Sequence, residues 1–317
     1  MSNVAACDQR RRPDERQGHG GRRRSCHVIR CFSLAALLAG IVLAAPPGAA
    51  ALVGTEVTVP MTVKGLFGDK TVHLAATEYR PEGPGPFPAI VLNHGAPGSA
   101  GERVEYSGKF PVASAVFVEW GFVVLNPVRR GYGKTGGAYA EDIGRCDNPF
   151  FVEAGLETAN DIAAAVAYLR AQPYVDRGRI ALVGVSAGGW GSLAAASRGN
   201  LPIRGVVNFA GGRGGRHHDL PNNNCAPDRL VSAAGTFGKT ARVPSLWLYS
   251  ENDQFFGPEL SRRMSAAYNA RGGHAQYQLL PAIGADGHHL IGMRDGVPLW
   301  RDQVEAFLRE IGVLPAR

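Results

Sequence analysis

A serine hydroxyl is a weak nucleophile at neutral pH unless a base within hydrogen-bond reach takes its proton and a third group orients that base. The chain carries residues of these three types in the order serine, acid, histidine. Ser186 lies in Gly184-Val185-Ser186-Ala187-Gly188, a G-x-S-x-G pattern. Asp253 lies in Ser250-Glu251-Asn252-Asp253, and His288 in Asp286-Gly287-His288-His289. With 42 glycines in the chain the bare pattern arises readily, so the flanking residues carry the signal. Ile180 to Val185 is an apolar run of the length a buried parallel strand needs, and small residues from Leu193 to Ser197 suit a closely packed helix. A serine on the sharp turn between such elements is a nucleophile elbow, with glycines where the backbone packs tightest. The competing reading is a glycine-rich turn in which Ser186 only caps the helix.

Each partner has a rival. Glu251 could serve as the acid, but it stands one residue past the strand, where the loop has barely begun. His289 is the rival of His288. His94, in Asn93-His94-Gly95, fits a residue that shapes a loop better than a proton carrier. Arg129 and Arg130 either bind an anionic substrate or fix their loop through backbone carbonyls, the commoner use of such an arginine. The clusters His217-His218-Asp219 and Asp286 to His289 hold metal-ligand types, but adjacent histidines point apart and no further ligand follows at a recognised spacing. No metal and no cofactor are expected.

The elements that must position these residues alternate. Thr55 to Val63 and Thr71 to Tyr79 read as an antiparallel edge pair. Strands follow at Ala89 to Leu92, Gly121 to Leu125, Ile180 to Val185, Arg204 to Ala210, Ser245 to Ser250 and Ala275 to Pro281. Between them, helical periodicity marks Phe110 to Trp120, Leu156 to Leu169 and the stretch from Pro258 to the Gly272-Gly273 pair, and a last helix carries Trp300, Val304, Phe307, Leu308 and Ile311. This alternation predicts an α/β fold, a mostly parallel sheet of about eight strands with helices on both faces. Ligands of such sheets bind at the carboxyl ends of the strands, where Ser186, His94 and Asp253 all fall.

On His94-Gly95, Arg130-Gly131-Tyr132-Gly133, Gly184 to Gly189, the acid after the penultimate strand and Gly287-His288, the sequence resembles dienelactone-hydrolase-like members of the α/β-hydrolase superfamily. It also resembles the catalytic domain of prolyl-oligopeptidase-type enzymes. The likeness extends over nearly all of residues 60–312. It implies Ser186 as nucleophile, His288 as base and Asp253 as its orienter, with the backbone N–H groups of Ala187 and Ala96 as the oxyanion hole. Dienelactone hydrolases proper use a cysteine nucleophile, so their lactone substrate is not implied. Prolyl-oligopeptidase enzymes carry an N-terminal propeller, and no repeats of that kind precede this domain, which weighs towards an ester over a peptide.

Net charge points away from nucleic acid. Eight arginines against three acids give the first thirty residues +5 of the chain's +7, so the basic character belongs to the N-terminal arm. Behind the arm, Cys31 to Ala45 is an uncharged apolar run of fifteen residues, followed by Pro46-Pro47-Gly48 and the small residues Ala49 to Ala51. Basic region, short apolar core and small-residue exit describe a secretory signal peptide over residues 1–51. The run is shorter than the ~20 residues that span a bilayer, although an uncleaved N-terminal anchor is the alternative. The mature chain from residue 52 to 317 is then a single α/β-hydrolase domain in an extracellular or periplasmic setting, off the membrane after cleavage.

Removal of the arm takes Cys7, Cys26 and Cys31 with it and leaves Cys146 and Cys225. An even count in an oxidising compartment predicts a disulfide, against two unpaired buried thiols. Residues 211–240, rich in glycine and asparagine at their start, lie between two core strands on the active-site edge and read as a lid or pocket insertion. The expected function is a secreted serine hydrolase acting on a small-molecule ester. The alternatives are an exopeptidase or amidase with the same triad, and a non-catalytic binding protein of the same fold. Nothing in the sequence fixes an oligomeric state.

Overall fold

The computed structural model describes residues 52–65 and 68–314; the signal-peptide reading of residues 1–51 lies outside them. The edge pair forms as β1 (Thr55–Val63) and β2 (Lys70–Tyr79), antiparallel with Val59 opposite Leu74. Then come β3 (Phe87–Asn93), α1 (Ala100–Val104), α2 (Pro111–Glu119) and β4 (Val123–Pro127). A two-strand hairpin, β5 (Gly144–Arg145) and β6 (Asn148–Pro149), precedes α3 (Phe151–Ala171), β7 (Val175–Val185), α4 (Ala187–Ser197) and β8 (Val206–Phe209). The chain continues through α5 (Pro227–Thr240), β9 (Ser245–Ser250), α6 (Pro258–Ala270), β10 (Ala275–Leu280) and α7 (Val297–Glu310).

The eight-stranded sheet has the order β1-β2-β4-β3-β7-β8-β9-β10. Its strands from β4 to β10 run parallel, and β2 joins β4 antiparallel. From β3 the chain first moves outward to β4 and then returns to the other side of β3 as β7. The crevice between the carboxyl ends of β3 and β7 is therefore the topological switch point, where ligands of open α/β sheets bind.

Both faces are covered, and alternation along each strand divides the core. In β7, Ile180 and Leu182 join the cluster under α3, α4, α5 and α6, while Ala181, Val183 and Val185 face α2 and α7. Pairwise burial on two faces explains why these strands read as unbroken apolar runs. Helix α4 is buried at every residue from Ala187 to Ser197. It contacts the sheet, α3 and α5, and at its crossing with α3 only glycine fits: a Cβ on Gly191 would lie 2.1 Å from Thr158 Cγ2.

The 211–240 stretch divides in two. Residues 227–240 form α5, whose buried Leu230, Ala233, Ala234 and Phe237 belong to the core. That half is part of the helical layer and not a lid. The polar start of the stretch hides the amphipathic pattern that begins at Pro227. The remaining loop, 211–226, crosses the active-site edge and is tied down by a disulfide between Cys146 and Cys225, with Cα atoms 4.7 Å apart. The bridge spans a sequence separation of 79 residues, for which loss of loop-closure entropy in the unfolded chain amounts to at most about 4–5 kcal/mol. Urea unfolding with and without a dithiol is expected to show a loss of stability up to that size, reproduced by Cys146→Ser combined with Cys225→Ser. Identical curves would mean that the bridge does not constrain the unfolded chain.

Candidate active site

The turn after β7 places Ser186 at φ 54° and ψ −122°, a left-handed conformation costly for a residue with a side chain. Close backbone contacts impose it. A Cβ on Gly184 would sit 2.4 Å from the Gly188 carbonyl oxygen, and one on Gly188 would sit 2.3 Å from that of Asn93. Both flanking glycines of the pattern are therefore required, and Ser186 is lifted above the edge of the sheet, partly exposed. Helix α4 starts at the next residue, so the Ala187 N–H is one of the donors a helix N-terminus leaves free for an anion.

His288 stands in a 3₁₀ turn, Gly287–Gly292, after β10, and Asp253 in the loop after β9. His288 Nδ1 lies 3.1 and 3.2 Å from the two Asp253 carboxylate oxygens. Both side chains are buried. Asp253 Oδ1 also accepts from the Phe255 and Phe256 N–H groups at 2.8 and 2.9 Å, which fixes the carboxylate's orientation. The Phe255 ring stacks on the imidazole, centroids 4.0 Å apart and planes 21° apart. A carboxylate on Nδ1 favours the tautomer with its proton there and leaves Nε2 as the acceptor. Ser186 Oγ forms no hydrogen bond to that nitrogen; such bonds often tighten only around substrate.

The rival residues face elsewhere. Glu251 is exposed, and its N–H donates to the Leu280 carbonyl. His289 is 64% exposed, with Nε2 4.0 Å from Asp286 Oδ2. His217, Cys146 and Cys225 bring ligand-type atoms within 4.8 Å of one another. Both sulfurs are joined to each other, so neither is a thiolate available to a cation.

The loop after β3, which carries Ala96, is held from beneath. His94 is fully buried, and burial, followed by the nearby Arg129 guanidinium, pushes its pKa well below the usual histidine value. Neutral His94 accepts the Arg129 N–H at Nε2 (3.1 Å) and therefore donates from Nδ1 to the Gly95 carbonyl (2.6 Å). Arg129 Nη1 donates to the His94 carbonyl at 2.6 Å, and Nη2 reaches the Gly95 carbonyl at 3.4 Å. Donors on the Gly95 carbonyl polarise and orient the same peptide whose other end is the Ala96 N–H. Arg129 thus fixes its loop through carbonyls and is closed to a substrate anion. Arg130 is likewise engaged, with Asp161 at 2.6 Å and Glu157 at 2.9 Å.

Sequence reasoning missed the carboxylate that makes a buried Arg129 tolerable. Glu141 receives Arg129 Nε at 2.6 Å and also pairs with Arg213 from the 211–226 loop. All three side chains are nearly inaccessible. No local pattern marks Glu141; only the return of its loop beneath the site brings it there.

Residues 109–208 match the model of the prolyl oligopeptidase family of peptidases. This is the prolyl-oligopeptidase side of the resemblance read from the sequence. A search of curated proteins gives no significant match. Among solved structures, an acylaminoacyl peptidase of Pyrococcus horikoshii is 18% identical with a TM-score of 0.55, over 81% of this chain and 41% of that one. A puromycin-hydrolysing peptidase of Mycobacterium tuberculosis is 19% identical (TM-score 0.53), over 83% and 40%. An esterase of Pyrococcus furiosus is 15% identical (TM-score 0.54), over 82% and 91%. At these identities the likeness is one of fold, the α/β-hydrolase fold, and the chain spans about two fifths of the length of the two peptidases.

The buried ion network has a definite acid signature. Burial alone would raise the Glu141 carboxyl, but Arg129 and Arg213 outweigh it and hold its pKa at about 2. A carboxyl lower in the folded chain than its unfolded value of about 4.3 adds stability above that value and loses it as pH falls through about 2. Wild type is therefore expected to weaken between about pH 4 and 2. Glu141→Gln, which leaves two buried guanidiniums without their anion, should cost about 3–5 kcal/mol at pH 7. Denaturant titrations at both pH values measure the two effects.

Proposed function

We propose that this chain is an exported serine hydrolase that cleaves a carboxylic ester through an acyl-enzyme. The reading is carried by the buried Asp253–His288 pair, 3.1 Å apart, together with a serine held on a strained elbow between β7 and α4. Ser186 Oγ attacks the ester carbonyl while His288 Nε2 takes its proton. The tetrahedral oxyanion is met by the Ala187 and Ala96 N–H groups, the second held through the Gly95 carbonyl by His94 and Arg129. Collapse releases the alcohol with the proton from His288, and water repeats the sequence on the acyl-serine. Asp253 keeps the imidazole in the right tautomer and stabilises the imidazolium, remaining ionised throughout.

The ester reading draws on the esterase of Pyrococcus furiosus among the structural neighbours. The second reading, an exopeptidase or amidase with the same residues, draws on the family match over 109–208.

A panel of short-chain aryl esters and aminoacyl anilides separates the two readings, with faster turnover expected on the esters. Activity confined to the anilides reverses the assignment. Ser186→Ala should lower kcat by on the order of 10⁵- to 10⁶-fold and abolish labelling by a fluorophosphonate. Asp253→Asn should cost about 10⁴-fold with the fold intact. Full activity in Asp253→Asn together with loss in Glu251→Gln would move the acid to Glu251.

A further inference from the structure

We infer that Asp286 is a positioning residue that locks the base to its acid, an inference that rests on the triad reading above. The acid and the base sit on separate loops, after β9 and after β10, and the Asp253–His288 contact itself holds only side-chain atoms. The Gly287 N–H donates to the Asn252 carbonyl at 3.3 Å, just before the base and the acid, and Asp286 adds a second tie just beyond it. Its Oδ1 accepts the His288 N–H at 3.0 Å and the Gln254 N–H at 3.0 Å. Those two amides belong to the base itself and to the residue directly after the acid. One carboxylate oxygen therefore joins the main chain of the base to that of the residue after the acid, alongside the Gly287–Asn252 bond.

The side chain is 11% exposed, and its second oxygen has no hydrogen-bond partner among the described residues. Arg216 Nη1 lies 3.8 Å from Oδ2 and His289 Nε2 lies 4.0 Å away. Arg216 belongs to the 211–226 loop and also stands over the Phe255 ring, 5.4 Å from its centroid, next to the face pair Phe255–His288. The same carboxylate thus links the acid loop, the base turn and the loop pinned by the disulfide. Asn252 stitches the two loops further out, through the Ile283 and Gly284 carbonyls and the Ile283 N–H. Those contacts close the loops but leave the peptide of His288 to Asp286 alone.

A geometric role makes a prediction about atoms and not only about stability. Asp286→Asn keeps an acceptor oxygen for both amides, Asp286→Ser can serve only one of them, and Asp286→Ala serves neither. Displacement of a catalytic group by about 1 Å costs on the order of 10²-fold. The expected order of kcat is wild type, then Asn within about fivefold, then Ser, then Ala lower by about 10²-fold, with KM little changed. Nitrogen NMR of the His288 ring gives a readout that does not need turnover. A fixed Nδ1–H tautomer is expected in wild type and Asp286→Asn, and tautomer averaging in the Ala variant. If the Ala variant does not fold, the Ser variant carries the test. A Ser or Ala variant with wild-type ring signals and kcat overturns the inference. Wild type that neither turns over ester nor reacts with a fluorophosphonate refutes the hydrolase reading, while its ring signals still decide the role of Asp286.

Discussion

The tight backbone crossing at the end of β7 is the constraint on which the rest of the site depends. Main chain from β3, the turn and the first residues of α4 converge so closely that neither Gly184 nor Gly188 has room for a Cβ. Ser186 is forced into its left-handed conformation as a result. The strain is held by what surrounds it: β7 is hydrogen-bonded on both sides, by β3 and β8, and α4 is buried along its whole length. Asn93, the last residue of β3, donates to the Val183 carbonyl and to Ser192 Oγ, which ties the neighbouring strand to both β7 and α4. A turn this costly persists only where the packing over-determines it.

Charge organises the second level. Two guanidiniums and one carboxylate lie almost wholly out of water beneath the loop that follows β3. Burial of such groups is unfavourable unless each is paired and hydrogen-bonded. Here Glu141 pairs with both cations, Arg129 spends its remaining donors on the His94 and Gly95 carbonyls, and Arg213 reaches Tyr139 and Thr158. The arrangement fixes the His94 and Gly95 carbonyls with side chains that are themselves buried. It also joins three loops far apart in sequence, those around residues 94, 141 and 213.

The 211–226 loop belongs to the same economy of anchoring. It carries Arg213 into the ion network, Arg216 towards Asp286, and Cys225 into the disulfide. Several of its residues adopt positive φ without being glycine, among them Arg216, His218, Asp219 and Asn222. Such a path requires fixed ends, and the network at one end and the disulfide at the other provide them. Its composition suggests freedom; its contacts show a segment held at several points.

Much of this was legible in the sequence because it rests on local chemistry. Apolar runs of strand length, glycines around one serine and helical periodicity report the alternation of elements, and Asp253 and His288 are readable from their positions just beyond strands. Between Glu251 and Asp253, two residues apart, and His288 and His289, one apart, the folded chain buries Asp253 and His288 and leaves Glu251 and His289 exposed. Glu141, Asp286 and Phe255 were not legible, since their partners lie 12 to 72, 2 to 32 and 33 residues away respectively. Nor did composition reveal α5, whose polar approach masks a helix that only the core's demand for Leu230 and Phe237 makes evident. A pattern in sequence fixes which groups are offered to the interior, because periodicity follows from backbone geometry. Which buried charge meets which counter-charge is decided by the tertiary fold, because pairing depends on distances that only the assembled chain defines.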